Sequence, residues 1–264
     1  LPLPSWVQNT QCKGLWLFNE GGGKLVNDMS GNRNNGTLTN FGATATSGWI
    51  GGKFGSALAF DGTDDYVNIP SSNSLSSLTT NFTFSCWINT SGTAQKYIFA
   101  QTNTNYSFAI RLKTTTNLIE VLRSSIDAMA STTTAVPLGV WANIVYIKNG
   151  LINKIYFNGI EQPLSDNLAY LFTGTANAKQ IGQRGSSASY FVGSIDHYAI
   201  YTKALTLPEI QQLYTEPFYM FPKRSPVSYF IPSGGTTPPG GGGVVSFSIR
   251  RSAAPGGLRR LRCG

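Results

Sequence analysis

The chain has 264 residues, of which only 12% are charged, about half the share of an ordinary soluble domain. Lys and Arg outnumber Asp and Glu 20 to 12, but the 48 residues from Pro217 onward carry seven of the basic residues and no acidic one, leaving +1 on the first 216. No run approaches the roughly 18 apolar residues of a membrane-spanning helix; the balanced charge of the first 216 residues excludes non-specific nucleic-acid binding there, and 15 Phe, 12 Tyr and 5 Trp exclude disorder.

Short apolar or alternating runs between Gly, Asn, Ser and Thr clusters predict strands. In chain order they fall at 14–18, 66–69, 82–88, 97–100, 106–112 and 118–122. Runs 141–147 and 154–157 are joined by a hairpin turn at Lys148, Asn149 and Gly150, and Asn158-Gly159 marks a tight turn of type I′. The last strong run, 191–201, alternates with period two in its second half. One helix is predicted: Thr206 and Glu209 form a capping box, Pro208 sits in the first turn, Ile210, Leu213 and Tyr214 share a face, and Pro217 stops it. This helix is expected to seal one edge of a sandwich. Residues 14–216 thus read as one all-β domain, with an N-terminal arm at 1–13 and a tail at 217–264.

The tail begins with Phe218, Tyr219, Phe221, Tyr229 and Phe230 among prolines, passes through a Gly/Pro-rich linker at 232–243, and ends with Arg250, Arg251, Arg259, Arg260 and Arg262. Too rich in Gly and Pro to fold alone, it is expected to dock on another protein subunit, with aromatic anchors and arginine hydrogen bonds. Five arginines without interleaved aromatic residues make a weak nucleic-acid site.

Catalysis is not expected. The five glutamates, Glu20, Glu120, Glu161, Glu209 and Glu216, lie too far apart for a same-strand carboxylate pair, and His197 is the only histidine. A sugar platform needs an aromatic ring flanked by polar groups, and the candidates are Trp49, in a Gly-rich stretch, and Tyr190. Trp16, Trp87 and Trp141 fall in strand patterns and are assigned to the core. Cys12, Cys86 and Cys263 have no metal-ligand spacing, and Cys86 is expected to be a buried thiol. Asp61, Asp64 and Asp65 form an acidic loop that reads either as a solvated hairpin or as a cation site.

Nine segments resemble, in order, a concanavalin A-like jelly roll of the laminin-G-like superfamily. They are Gly14-Leu15-Trp16-Leu17-Phe18-Asn19-Glu20, the loop from Asp28 through Asn35-Gly36 to Leu38, Gly52-Lys53-Phe54-Gly55-Ser56-Ala57-Leu58-Ala59-Phe60-Asp61-Gly62, and Asp65-Tyr66-Val67. Then come Phe82-Thr83-Phe84-Ser85-Cys86-Trp87-Ile88, Trp141-Ala142-Asn143-Ile144-Val145, Ile155-Tyr156-Phe157-Asn158-Gly159, Gly193-Ser194-Ile195-Asp196, and Ala204-Leu205-Thr206 onward to Tyr214. The resemblance implies a β-sandwich of two antiparallel sheets, and a family that mixes sugar-binding, adhesion, lectin and hydrolase members. It also implies a structural calcium at Asp28 and Asp196, with Asn35 or Gly36 as a further oxygen source. This chain departs from the pattern by placing His197 where an acidic residue often follows the second Asp. The alternative for Asp28 is an Asx-turn that satisfies local N–H groups. The tail is similar to those of bacteriophage structural proteins that carry such jelly rolls. The resulting expectation is a non-enzymatic decoration or surface protein of a virion, docked by residues 217–264. The alternative is a calcium-assisted lectin-like module, secreted or on a cell surface, with glycan partners.

Overall fold

Short strands build two antiparallel sheets that face each other across an apolar core, and the central strands are buried on both faces. The computed structural model describes residues 11–218 apart from 45, 77, 93–95, 102–107, 124–127, 173–176 and 186–188. The chain divides into two units, Leu1–Met220 and Phe221–Gly264, and every described residue belongs to the first. Among the described residues no helix is long and apolar enough to cross a membrane.

The strands are β1 (Cys12–Trp16), β2 (Leu25–Val26), β3 (Gly36–Thr39), β4 (Trp49–Gly51), β5 (Ser56–Asp61) and β6 (Tyr66–Ile69). They continue as β7 (Asn81–Thr90), β8 (Lys96–Gln101), β9 (Ala109–Leu112), β10 (Leu118–Leu122), β11 (Ala128–Ala135) and β12 (Ala142–Asn149). The last are β13 (Ile152–Phe157), β14 (Ile160–Glu161), β15 (Leu164–Asn167), β16 (Lys179–Ile181) and β17 (Val192–Tyr201), followed by helix α1 (Leu207–Thr215). Sheet A runs β14-β13-β12-β7-β17-β5-β4, with β1 also paired to β17. Sheet B runs β15-β11-β10-β9-β8-β16-β6-β3-β2.

Strand β7 shows how the core is filled. Phe82, Phe84, Cys86 and Ile88 enter the core between the sheets, while Thr83, Ser85 and Trp87 alternate to the other face. Phe84 meets the edge of Tyr198 at 4.8 Å between ring centres, and Trp16 meets Tyr198 edge-on at 5.6 Å. The buried Trp16 indole N–H donates to the Asn34 carbonyl at 2.9 Å, so the largest core side chain carries no orphaned donor.

The capping box forms as expected, with Glu209 Oε2 accepting from the Thr206 N–H at 2.8 Å and from its hydroxyl at 3.0 Å. The helix packs on the outer face of sheet A, where Tyr214 stacks on Trp87 of β7 at 5.6 Å, and it reaches the β13–β14 turn at the sheet edge, where Gln211 and Tyr214 lie against Gly159. Strand β11 was not among the predicted strands. Its Ser/Thr-rich segment lacks an apolar alternation, and pairing with β10 and β15 makes it a strand. The type I′ turn is present, with positive φ at both Asn158 (51°) and Gly159 (78°).

Gly193 sits where β17 is pinned between β5 and β7. Its φ is 126°, and a Cβ there would lie 2.3 Å from the Asn89 carbonyl oxygen. Gly193→Ala is therefore expected to lower stability by on the order of 3 kcal/mol, measured as a fall in the denaturant midpoint, whereas Gly92→Ala, with open space around it, costs about 1 kcal/mol.

Candidate functional site

The outer face of sheet B carries a polar row that runs straight across five strands. Tyr97 on β8 pairs with Arg111 on β9, Arg111 with Glu120 on β10, Glu120 with Ser131 on β11, and Ser131 with Asp166 on β15. Directly paired residues of neighbouring strands share a face, so four steps of about 4.8 Å give a row roughly 19 Å long. Beside it runs a second row of amide and apolar side chains, Asn68, Gln180, Ala100, Ala109, Leu122 and Ala128.

The first row is tightly bonded. Arg111 donates from Nε to Glu120 Oε2 at 2.7 Å, its Nη2 lies 2.7 Å from the same oxygen, and Lys113 Nζ lies 3.3 Å from Oε1. The Tyr97 hydroxyl accepts from Arg111 Nη1 at 3.3 Å and from Arg184 Nη1 at 3.2 Å. Glu120 and the phenol raise the Arg111 pKa in spite of burial, the largest single influence, which acts downward. Gln180 Oε1 accepts from Gly185 N at 2.8 Å, which fixes the backbone next to Arg184. Two buried polar atoms remain without a hydrogen-bond partner, Ser131 Oγ in the row and Gln183 Oε1 beside Arg184.

The residues expected from the sequence to bind ligands lie elsewhere. Trp49 is half-buried on β4 at the edge of sheet A, packs against the core and donates its indole N–H to the Gly23 carbonyl at 2.9 Å. Tyr190 is half-buried just before β17. Phe218 packs on its own body, edge-on to His197 at 5.1 Å and to Phe54 at 5.5 Å. Tyr219, Phe221, Tyr229, Phe230, Arg250, Arg251, Arg259, Arg260 and Arg262 lie outside the described residues, as does Cys263. Sequence reasoning had no means of assembling the polar row. Its signal was a charged residue at an alternating position in each of two apolar runs, Arg111 and Glu120.

The donors expected for calcium are engaged by backbone N–H groups. Asp28 Oδ1 accepts from Leu15 N and Ser30 N at 2.9 Å each, and Oδ2 accepts from Asn34 N at 2.8 Å. Asn35 Oδ1 accepts from Asp28 N at 2.9 Å. The Asx-turn alternative describes this loop. Asp196 is spent differently: Oδ2 accepts from Phe54 N at 2.9 Å, and Oδ1 is buried without a partner. Asp61, Asp64 and Asp65 bring ligand atoms within 4.8 Å of one another, with Asp65 buried and pushed up to about 6 by burial and by its acidic neighbours. Their oxygens hold the turn itself, since Asp65 Oδ2 accepts from Asp61 N at 3.0 Å.

Asp196 and His197 form a buried pair of opposite character. Burial pushes the Asp196 carboxyl up to about 7, against the lowering effect of backbone N–H groups including that of Phe54. Burial pushes His197 down to about 4, only partly offset by the Pro217 carbonyl, and neither ring nitrogen has a well-formed hydrogen bond. Cys12 and Cys86 are both buried, with thiol pKa values raised by burial, which makes them poor nucleophiles.

The architecture is that of a concanavalin A-like β-sandwich. The chain belongs to the concanavalin A-like lectin/glucanases superfamily, whose profile matches residues 61–211. Among solved structures, domain 4 of AbnA, an extracellular arabinanase from Geobacillus stearothermophilus, is similar at 23% identity and a TM-score of 0.59, covering 77% of this chain and 98% of that one. Trypanosoma rangeli sialidase in complex with sialic acid is similar at 13% identity and a TM-score of 0.60, covering 83% of this chain. The binding domain of Paraclostridial Mosquitocidal Protein 1 is similar at 13% identity and a TM-score of 0.61, covering 80% of this chain. This chain spans 34% of the sialidase chain and 53% of the mosquitocidal one, and at these identities the likeness is one of fold. No curated protein sequence matches.

Two outcomes follow from this chemistry. Asp28→Ala orphans three backbone N–H groups and is expected to cost on the order of 2 kcal/mol, equally with added calcium and with chelator; a cost that appears only in calcium reinstates a metal at Asp28. Asp196 holds in the fold a proton that the unfolded chain has lost between about pH 4 and 7, so its contribution falls as pH rises through that window. His197 does the reverse: the unfolded chain protonates first as pH falls from 6.5 towards 4, so its contribution falls as pH drops. Thermal melts over this range should show Asp196→Asn gaining stability with pH more steeply than the wild type, and His197→Gln less steeply.

Proposed function

We propose that this chain is a non-catalytic carbohydrate-binding module that takes a short oligosaccharide along the polar row of sheet B. The observation that carries this reading is the row itself, an aromatic hydroxyl, guanidinium, carboxylate and hydroxyl in cross-strand register with amide and apolar side chains alongside. Sugars are held by this mixture of flat apolar surface and directed polar groups. The arabinanase domain similar in fold is solved with arabinotriose, and the sialidase with sialic acid, which supports a glycan as the ligand class.

A binding role is favoured over hydrolysis because both oxygens of Glu120 are already taken, Oε2 by Arg111 and Oε1 by Lys113. A glycosidase needs a carboxyl group free to give its proton to the leaving group. The charge distribution of the sequence favours a second role, docking of the C-terminal segment on an assembly such as a virion, since residues 217–264 hold seven cations and no acid. Because Phe218 packs on the body, the cut that tests this role belongs after Met220. Loss of particle association with glycan binding intact supports docking, and unchanged association overturns it.

Asp166→Ala tests the glycan reading. Its carboxylate is exposed at the β15 end of the row, so its removal is expected to leave the melting temperature within about 2 °C of the wild type while weakening oligosaccharide binding several-fold in isothermal titration. Binding unchanged in this variant removes the row as the site.

A further inference from the structure

A cleft of about 310 Å³ opens on the outer face of sheet A, on the opposite side of the sandwich from the polar row. Strand register builds one wall: Ile147 pairs with Lys154, Asn149 with Ile152, and Tyr156 with Glu161. These residues face away from the core that their neighbours Tyr146, Ile155 and Phe157 fill. The other wall is the segment from Ala204 to Leu207 that leads into α1. Thr83 fixes it, its hydroxyl accepting from Leu205 N at 3.0 Å and donating to the Lys203 carbonyl at 2.7 Å. Both walls are ordered, and the volume lies at the small end of the range for ligand sites.

The polar groups of the cleft are only partly used. The Tyr156 hydroxyl and Lys154 Nζ both donate to one oxygen of Glu161, Oε2, at 3.0 and 2.9 Å. Among the described residues nothing donates to Oε1, and nothing accepts the other two N–H groups of Lys154. The Lys154 and Glu161 side chains are 44% and 49% exposed, so a ligand in the cleft reaches both. The bond from Lys154 pulls the Glu161 carboxyl below its ordinary value, and as an anion it only accepts. Around this pair the lining is aliphatic, with Ile147 and Leu205 buried and Ile152 and Leu207 exposed. A ligand that completes the arrangement donates to Glu161, accepts from Lys154 beside it, and lays an apolar surface against Ile152 and Leu207. Adjacent hydroxyls on a sugar ring do the first two, and the ring C–H groups do the third. An acidic sugar would meet the unpaired oxygen of Glu161 with like charge. A zwitterion would lose more hydration than two groups already paired at 2.9 Å can return.

We propose that this cleft is a second carbohydrate site, which takes a single neutral sugar residue whose neighbouring hydroxyls bridge Glu161 and Lys154. It shares no residue with the polar row and stands independently of the reading of that row.

The test is methyl NMR on the full chain, following Ile152 and Leu207 as the methyl glycosides of glucose, galactose, mannose and glucuronic acid are added. At least one neutral glycoside should shift both residues saturably, and the glucuronide should bind about tenfold less tightly than that sugar. Glu161→Gln should weaken neutral binding about fivefold with the melting temperature held within about 2 °C. Leu207→Ser, on the opposite wall, should also weaken it, read on Ile152. Asp166→Ala, in the row, should leave these shifts as they are. Methyl groups that move with no neutral probe overturn the proposal, as does a glucuronide that binds as tightly as the neutral sugars. Wild-type affinity in either Glu161→Gln or Leu207→Ser overturns it too. In each of these cases oligosaccharide binding lost in Asp166→Ala still supports the row.

Discussion

The fold turns on how many neighbours one strand can hold. On one edge β17 pairs with β7 along most of its length, and on the other it pairs first with β5 and then with β1. Where that second edge passes from β5 to β1, the register of β17 against β7 shifts, between Asp196 and Ala199, with His197 in a left-handed conformation at φ 49°. The Asp196 side chain stabilises the break by accepting from Phe54 N in the turn between β4 and β5. Gly52 permits the close approach, since a Cβ there would lie 2.7 Å from Asp196 Oδ2. A carboxyl and an imidazole are buried for this arrangement, and both have their charged forms disfavoured. The break is thus fixed by hydrogen bonding and close packing, with little contribution from charge.

The two outer faces of the sandwich have been put to different uses. On sheet A, Trp87 and Phe54 form an apolar surface that Tyr214 and Phe218 cover, with the Lys53 ammonium 5.1 Å from the Trp87 ring centre. Helix α1 thus completes a second, smaller core. On sheet B the corresponding positions carry the Tyr97–Arg111–Glu120–Ser131 row, whose ion pairs would gain little from an apolar cover. Both outer faces are thus withdrawn from water at their centres, one by apolar rings and the other around a hydrogen-bonded ion pair.

Local signals in the sequence were read correctly where they act over a few residues. The capping box at Thr206 and Glu209, the paired positive φ values at Asn158 and Gly159, and the inward alternation of Phe82, Phe84 and Cys86 all depend on near neighbours. Features set by distant pairing were not legible. Arg111 and Glu120 stood in plain view within apolar runs, yet nothing local says that Tyr97 and Ser131 fall in line with them. Trp49 looked like a platform because glycines surround it, but its partner is a carbonyl 26 residues away. His197 was assigned to the alternation of its strand, and the register break rotates it out of that pattern into a site under Phe218.

The packing of Phe218 against Phe54 and His197 puts the last described residue on the covered face of sheet A. The chain thus goes on contributing to that face after helix α1 has ended at Thr215. Without the Phe218 ring, Phe54 and His197 would lose an aromatic neighbour each, so the sandwich owes part of its seal to a residue beyond its last regular element.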